Sequence, residues 1–206
     1  MPPEVVVFDL GKVLVDFDYG IAARRIADNA SLDAIGIQRV LDQSTLLFRY
    51  ETGLLTREEF FQEVREATGY RGTMEVFSGY FADVFSPIDP MIALHAALRK
   101  RGVPTCIFSN TNDLAVEHIR RNFPFFANFD GYVFSYEHGS MKPETRLYEV
   151  VERATGRTEG AILYLDDRLE NIEAGRARGW QTIHHQTPQM SIARVAELQL
   201  VRSNSL

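Results

Sequence analysis

The chain has 206 residues, of which 45% are hydrophobic and 24% are charged, enough for one sizeable core with or without a small accessory domain. Its formal net charge is -6 and it has no Lys/Arg-rich run, so we expect neither nucleic acid nor a membrane surface as a partner. The one cysteine, Cys106, excludes an intrachain disulfide, and no apolar run approaches the ~20 residues that span a bilayer. The chain begins without a basic and apolar leader. We therefore expect a cytoplasmic protein, whose oligomeric state the sequence leaves open.

Short apolar runs of the kind found in strands buried on both faces recur along the chain. They are residues 5–8, 103–108 and 161–165, and residues 132–134 and 181–183 are shorter strand candidates. Helical patterns with recognisable ends lie between the later runs, at residues 89–102, 143–156 and 169–179, and a last amphipathic pattern covers 191–200. Strands that alternate with helices of this length predict an α/β fold with a doubly wound, mostly parallel, Rossmann-like sheet.

The segment 17–87 interrupts this alternation. Its apolar residues recur at three- and four-residue spacing, as in Phe60, Phe61 and Val64, and Thr56 with Glu59 predicts a capping box at a helix start. We predict no strand in this segment. The expected organisation is an α/β core domain of residues 1–16 and 88–206, with a helical cap domain of residues 17–87 inserted after the first strand.

Polar side chains follow three of the predicted strands at the point where each strand ends. They are Asp9 after the first strand, Ser109 and Asn110 after the second, and Asp166 and Asp167 after a later one, with Lys142 on a loop before a helix. Ligands of open parallel sheets bind beyond the carboxyl ends of the strands, so these groups are expected to meet at one edge. Carboxylate oxygens suit Mg²⁺, and a hydroxyl and an ammonium suit phosphoryl oxygens.

Each of these residues also has a purely structural explanation. Asp9 could shape a turn, Asp166 or Asp167 could cap the next helix, and Lys142 could be a solvated loop lysine. Their joint placement after separate buried strands is harder to explain in this way. The pattern therefore favours a shared site over three independent local roles.

Four segments in order, FDLGKVLV, IFSNT, GSMKPE and YLDDRLENIEAG, resemble the four motifs of the haloacid-dehalogenase-like (HAD) hydrolases. The resemblance extends over nearly the whole chain and includes a helical cap after the first motif. Within the family it is greatest to bacterial sugar-1-phosphate (alpha-D-glucose-1-phosphate) phosphatases and to the phosphatase domain of soluble epoxide hydrolase. It implies a Mg²⁺-dependent phosphatase that acts on a small phosphorylated metabolite, with sugar 1-phosphates as one substrate class.

The resemblance also implies a role for each residue of the motifs. Asp9 is the nucleophile that attacks phosphorus and carries an aspartyl-phosphate intermediate. The metal is expected to bind the Asp9 carboxylate, the Gly11 carbonyl and the Asp167 carboxylate. The phosphoryl group is expected to bind Ser109, the Asn110 backbone and Lys142. Asp166 and Asn171 are expected to support the metal shell and its loop.

The chain departs from the family pattern two residues after the nucleophile. Most phosphatases of the family carry a second aspartate there, which protonates the leaving oxygen, whereas this chain has Gly11 followed by Lys12. Loss of a general acid typically costs about 10²–10⁴-fold in rate. Asp16 and Asp18 lie near the cap junction and could substitute, although the roles of a hinge residue and a helix-start residue explain their positions better.

Two other functions remain open on the sequence. Dehalogenases of the family also lack the second aspartate, but they need no metal and lack the acidic pair, so Asp166 and Asp167 favour the phosphatase. The loss at Gly11 is also consistent with a catalytically weakened module that binds a phosphometabolite or a protein. Residues 48–53 are expected either to line the substrate site or to form a plain turn between helices.

Overall fold

The computed structural model of the protein describes residues 2–42 and 44–201. Its central feature is a five-stranded sheet in the order β5-β4-β1-β6-β7, in which every neighbouring pair is parallel. The predicted α/β fold with a parallel sheet is therefore confirmed. The strands of the described chain are β1 (Val5–Phe8), β2 (Val15–Phe17), β3 (Phe85–Pro87), β4 (Thr105–Ser109), β5 (Gly131–Phe134), β6 (Ile162–Asp166) and β7 (Gln181–His184).

The helices include the four predicted after residue 88, with shifted ends. They are α1 (Tyr19–Ala27), α2 (Ala34–Leu41), α3 (Thr45–Glu51), α4 (Arg57–Thr68), α5 (Met74–Ala82), α6 (Asp89–Lys100), α7 (Asp113–Asn122), α8 (Ser135–His138), α9 (Thr145–Thr155), α10 (Leu169–Ala177) and α11 (Pro188–Glu197). The last helix begins before the predicted residue 191, because Thr187 caps it through a bond from the Met190 amide and Pro188 occupies its first turn. The helix α7 was not predicted, and Asn112 caps it in the same way.

Both faces of the sheet are buried, which explains why its strands are continuously apolar. Along β1, Val6 and Phe8 point into a core formed with α6, α7 and α11, whereas Val5 and Val7 point into a second core formed with α9 and α10. The side chain of Cys106 lies in the second core. Alternate residues of one short strand thus anchor the sheet on both sides and fix where β1 ends.

Helices α1 to α5 have a buried cluster of their own, in which Phe60, Phe77 and Phe81 are fully enclosed. The predicted capping box is present at α4: the Glu59 amide donates to Thr56 Oγ1 at 3.2 Å and the Thr56 amide donates to Glu59 Oε2 at 2.8 Å. Helix α7 contributes Leu114 to this cluster. The helical segment therefore packs around aromatic side chains and rests on one helix of the sheet domain.

The prediction that residues 17–87 contain no strand is wrong. An antiparallel ribbon joins β2 to β3, with Asp16 opposite Ser86 and Phe17 opposite Phe85. Each strand has only three residues and its partner lies at the far end of the helical segment, so no local pattern reveals it. The chain enters the helical segment through β2 and leaves it through β3. We therefore propose a core of residues 1–16 and 88–206 and a cap of residues 17–87. Residues 1, 43 and 202–206 lie outside the described chain.

Within the described residues, no helix is both long enough and apolar enough to cross a lipid bilayer.

Candidate active site

The carboxyl ends of β1, β4 and β6 open into a cavity of about 670 Å³ between the sheet and the helical segment. Seven of the residues predicted for the site line this cavity, and they are Asp9, Gly11, Ser109, Asn110, Lys142, Asp167 and Asn171. The eighth, Asp166, is fully buried beneath it. The sheet thus brings together residues that are far apart in the sequence, because parallel strands end at the same edge.

Lys142 connects two of the carboxylates. Its Nζ lies 2.9 Å from Asp9 Oδ1 and 2.7 Å from Asp166 Oδ2, and it also donates to the Phe108 carbonyl at 3.0 Å. The loop that carries it is held by Asn110, whose Nδ2 donates to the Lys142 carbonyl and whose Oδ1 accepts from the Lys142 amide. The side chain of Asn110 therefore positions Lys142, which leaves the Asn110 backbone for other contacts.

Every oxygen of Asp166 is already engaged within the protein. Oδ1 accepts from the Arg168 amide at 2.8 Å and from Asn171 Nδ2 at 3.0 Å, while Oδ2 accepts from Lys142 and from the Tyr164 hydroxyl. Burial alone would raise the pKa of Asp166, but the Lys142 ammonium and these hydrogen bonds hold the pKa below its ordinary value. Asp166 is an ionised anchor under the cavity floor.

Asp9 and Asp167 stand in a different environment. One oxygen each of Asp9, Asp166 and Asp167 lies within 4.8 Å of the others. Burial, with the charges of Asp166 and Asp167, raises the pKa of Asp9 to about 8 against the opposing effect of Lys142. Burial and the Asp166 charge also raise the pKa of Asp167. The Lys142 ammonium thus offsets only part of the negative charge, so this set of hard oxygen donors fits a divalent cation.

The space beside Gly11 is filled by an aromatic ring. A Cβ atom at position 11 would lie 3.0 Å from Cε1 of Phe17, the last residue of β2. Lys12 adopts a left-handed backbone with φ 59° and places its Nζ 4.5 Å from the centroid of that ring. The position at which the family carries its second aspartate is therefore packed against the ribbon that joins the two parts of the chain.

The two aspartates considered as substitutes have local partners. Asp16 is paired with Lys12, which lowers the pKa of Asp16, and it does not line the cavity. Asp18 does line the cavity, but its Oδ1 caps α1 by accepting from the Gly20 amide at 2.8 Å. Both side chains therefore have the structural contacts of a turn residue and a helix start.

The helical segment forms the opposite wall of the cavity with Tyr19, Asp42, Ser44, Leu47, Phe48 and Glu51. Of the stretch 48–53, only Phe48 and Glu51 are among these. Arg49 is turned toward Glu63 at 2.7 Å, and the Tyr50 hydroxyl donates to Asp113 on α7. The stretch is both a wall of the site and a contact between the two parts of the chain.

Sequence reasoning missed several residues of the site, among them Tyr164, Thr111 and Arg168 near the sheet edge. Tyr164 donates to Asp166, and the period of two along β6 could have placed both on one face. Thr111 and Arg168 line the cavity beside the predicted Asn110 and Asp167. Their neighbours in the sequence were recognised, but nothing in the sequence indicates that these two side chains also reach the cavity.

The comparisons with known proteins are consistent with this geometry. A D-ribitol-5-phosphate phosphatase of Bacteroides thetaiotaomicron is 24% identical over 183 residues, covering 86% of this chain and 89% of the relative. A sesquiterpene phosphatase of Aspergillus oryzae is 22% identical, covering 88% and 89%. A solved HAD family enzyme of Bacteroides thetaiotaomicron, in complex with magnesium and inorganic phosphate, has a TM-score of 0.74 at 23% identity, covering 88% of this chain and 93% of that one.

The sequence profile of one family matches residues 3–179, which include the sheet edge, the helical segment and each residue described above. Its description is haloacid dehalogenase-like hydrolase. The match covers most of the chain, and the chain therefore belongs to the haloacid dehalogenase-like hydrolases.

Proposed function

We propose that this hydrolase is a Mg²⁺-dependent phosphatase that cleaves a phosphomonoester of a small metabolite through an aspartyl-phosphate on Asp9. The observation that carries the proposal is the contact between Lys142 and Asp9, at 2.9 Å, beside the carboxylates of Asp166 and Asp167 in one cavity. An ammonium beside a buried carboxylate suits the transfer of a phosphoryl dianion, because both the nucleophile and the substrate are negatively charged.

Asp9 is held in a defined orientation. Its Oδ1 accepts from the Leu10 amide at 2.7 Å and from Lys142 Nζ at 2.9 Å. These two contacts restrain the carboxylate, and a restrained nucleophile favours an in-line displacement. We assign Asp9 as the nucleophile and Lys142 as the group that holds it and binds a phosphoryl oxygen.

The remaining phosphoryl oxygens are assigned to Ser109 and the Asn110 backbone. Ser109 lines the cavity, and its hydroxyl, which donates to the Asn110 carbonyl at 3.3 Å, is free to rotate toward a ligand. Asp9, Asp167 and the carbonyl of Gly11 would hold Mg²⁺, whereas Asp166 and Asn171 support them from below. When bound, Mg²⁺ supplies positive charge that offsets the negative charge of the transferred phosphoryl group.

The leaving group is expected to be small and hydroxylated. On the cap side, Tyr19, Asp42 and Glu51 offer a phenol and two carboxyl groups to a cavity of about 670 Å³. Carboxylates accept hydrogen bonds from hydroxyls and repel further anions. Sugar 1-phosphates and polyol phosphates match this wall, and one relative is by name a phosphatase of a polyol phosphate.

The substitution Asp9→Asn tests the proposal. Wild type is expected to release phosphate from a panel of sugar and polyol phosphates with added Mg²⁺, and Asp9→Asn to lose activity by several orders of magnitude, because the isosteric amide is not a nucleophile. Asp28→Asn, at an exposed aspartate after α1, serves as the matched control. Turnover by Asp9→Asn above a few per cent of wild type contradicts the mechanism, and full phosphate release in excess chelator contradicts the requirement for Mg²⁺.

A further inference from the structure

A phosphatase that releases an alkoxide needs a group to protonate it, and this chain lacks that group at position 11. The ring of Phe17 occupies the adjacent space, Asp16 is paired with Lys12, and Asp18 caps a helix. The substitutes expected from the sequence are thus engaged elsewhere. A general acid for this site would instead be a carboxyl group on the cavity wall opposite Asp9 that neither forms an ion pair nor caps a helix.

We propose that Glu51, at the end of cap helix α3, is the general acid and base of the reaction. The proposal rests on the phosphatase function proposed above and names a further catalytic residue for the same site. Glu51 lines the cavity from the cap, whereas Asp9 lines it from the sheet. A substrate bound to Asp9 through its phosphoryl group must place its leaving oxygen toward the cap.

The backbone of Glu51 is fixed to the core. Ser135, fully buried on α8, donates to the Glu51 carbonyl at 2.5 Å and accepts from the Thr111 amide at 2.9 Å. Thr111 directly follows the Ser109-Asn110 segment, so one serine links the backbone of Glu51 to the loop proposed to bind phosphate. The next turn reinforces this contact, because Gly53 packs under the carbonyl of Tyr136. The backbone of Glu51 therefore lies where the cap contacts the core.

The carboxyl group of Glu51 is suited to proton transfer near neutral pH. No residue of the described chain donates a hydrogen bond to it. Burial, with the nearby charge of Asp42, raises its pKa to about 7, and Arg168 opposes this change. Burial raises the pKa of the Tyr19 phenol, and the charges of Glu51 and Asp42 raise it further. A pKa near the operating pH is the most effective value for a general acid.

The proposed reaction has two steps. A bond forms between Asp9 and phosphorus while the bond from phosphorus to the leaving oxygen breaks, and the Glu51 carboxyl gives its proton to that oxygen. The alcohol departs. The Glu51 carboxylate then takes a proton from a water molecule whose oxygen attacks phosphorus, which breaks the bond to Asp9. Phosphate is released, and both side chains return to their starting states.

The isosteric substitution Glu51→Gln tests the assignment with two esters, an alkyl phosphate and p-nitrophenyl phosphate. The value of kcat/KM for the alkyl ester is expected to fall by about 10²-fold, while that for the aryl ester, whose leaving group needs no proton, stays close to wild type. Slow hydrolysis of the aspartyl-phosphate should appear as a burst of p-nitrophenol. Glu63→Gln is the matched control, because Glu63 pairs with Arg49 and does not line the cavity.

The pH profile separates a catalytic role from a structural one. For the alkyl ester, wild-type kcat/KM is expected to fall above about pH 7 as Glu51 loses its proton, and this limb should be absent in Glu51→Gln. Asp42→Asn should move the limb to lower pH, since it removes a charge that raises the pKa of Glu51. Equal losses on both esters, or an alkaline limb that persists in Glu51→Gln, overturn the assignment.

These outcomes are distinguishable from a failure of the phosphatase proposal. If wild type hydrolyses neither ester with Mg²⁺, or if Asp9→Asn stays active, the proposed function itself is wrong. If both of those tests succeed but Glu51→Gln matches wild type on the alkyl ester, only the role of Glu51 is wrong.

Discussion

The ring of Phe17 packs so closely against Gly11 that a Cβ atom at position 11 would lie 3.0 Å from its Cε1. The glycine at the position of the family's second aspartate therefore makes room for an aromatic side chain of the ribbon that joins the cap to the core. A carboxyl group can be restored at position 11 only if the ring gives way by a few tenths of an ångström or is removed.

This relationship predicts that Gly11→Asp combined with Phe17→Leu restores a general acid more effectively than Gly11→Asp alone. The measurement is kcat/KM over phosphate esters of graded leaving-group basicity, in wild type and in the Glu51→Gln background. The double change should make the dependence shallower, because protonation relieves the charge on poor leaving groups. Phe17→Leu alone is the control. An unchanged slope in the double variant would show that position 11 does not reach the leaving oxygen.

The contrast between Asp166 and Asp167 leads to a second prediction. Asp167→Ala should weaken Mg²⁺ binding strongly in titration calorimetry while the protein stays folded, because Asp167 is assigned as a direct ligand. Asp166→Ala should instead destabilise the fold in urea unfolding, by at most about 3–5 kcal/mol, since the buried ammonium of Lys142 loses its partner at 2.7 Å and keeps only Asp9 as a carboxylate partner. Equal Mg²⁺ affinities in wild type and Asp167→Ala would contradict the metal assignment.

The site was predictable where it coincides with the ends of strands. Asp9, Ser109 and Asp166 follow continuous apolar runs, and such runs are visible in the sequence because both faces of a parallel sheet are buried. The family resemblance drawn from those same segments is confirmed. Short apolar runs therefore locate the strands, and the strand ends locate the candidate site at the edge of the sheet.

The parts that the sequence did not reveal depend on contacts between distant segments. The pairing of Phe17 with Phe85 joins the two ends of a long insertion, and no local periodicity marks a strand of three residues. The cap carboxyl of Glu51 lies in a stretch that also fits a plain turn, and only the fold brings Ser135 to its carbonyl. Residues on the cap side of the cavity can therefore be identified only from the three-dimensional structure.

His95 provides a third prediction, on stability. It is fully enclosed and stacked on Phe129 with ring centroids 3.8 Å apart, and burial lowers the pKa of His95 to about 4. The unfolded chain binds a proton at about pH 6.5, so the stabilisation is complete above that pH and is lost as the pH falls toward 4. The full effect is about 3 kcal/mol.

Urea unfolding between pH 4 and 7 measures this effect. His95→Gln should flatten the decrease of unfolding free energy on acidification, whereas His138→Gln, at a partly exposed position, serves as the control. Some slope should remain in His95→Gln, because burial also lowers the pKa of His118 and of His185. A slope as steep as that of wild type would mean that His95 becomes protonated without unfolding.

The turn after Glu51 leads to the last prediction. Gly53 has φ 75°, and a Cβ atom there would lie 2.2 Å from the carbonyl oxygen of Tyr136, a backbone atom that cannot rotate away. Gly53→Ala should therefore push the end of α3 off the core and displace Glu51 from the cavity wall. We expect kcat/KM to fall more for alkyl phosphates than for p-nitrophenyl phosphate, in the same direction as for Glu51→Gln.

Gly156→Ala is the matched control for this substitution. Gly156 has a similar φ of 63°, but nothing lies within 4 Å of a Cβ atom placed there, so alanine adds backbone strain without a clash. The strain costs about 1–3 kcal/mol in either protein. A loss of stability in both variants, with the selective loss on alkyl esters confined to Gly53→Ala, would separate displacement of Glu51 from general destabilisation. Identical kinetic effects in the two variants would show that contact between this turn and Tyr136 does not position the acid.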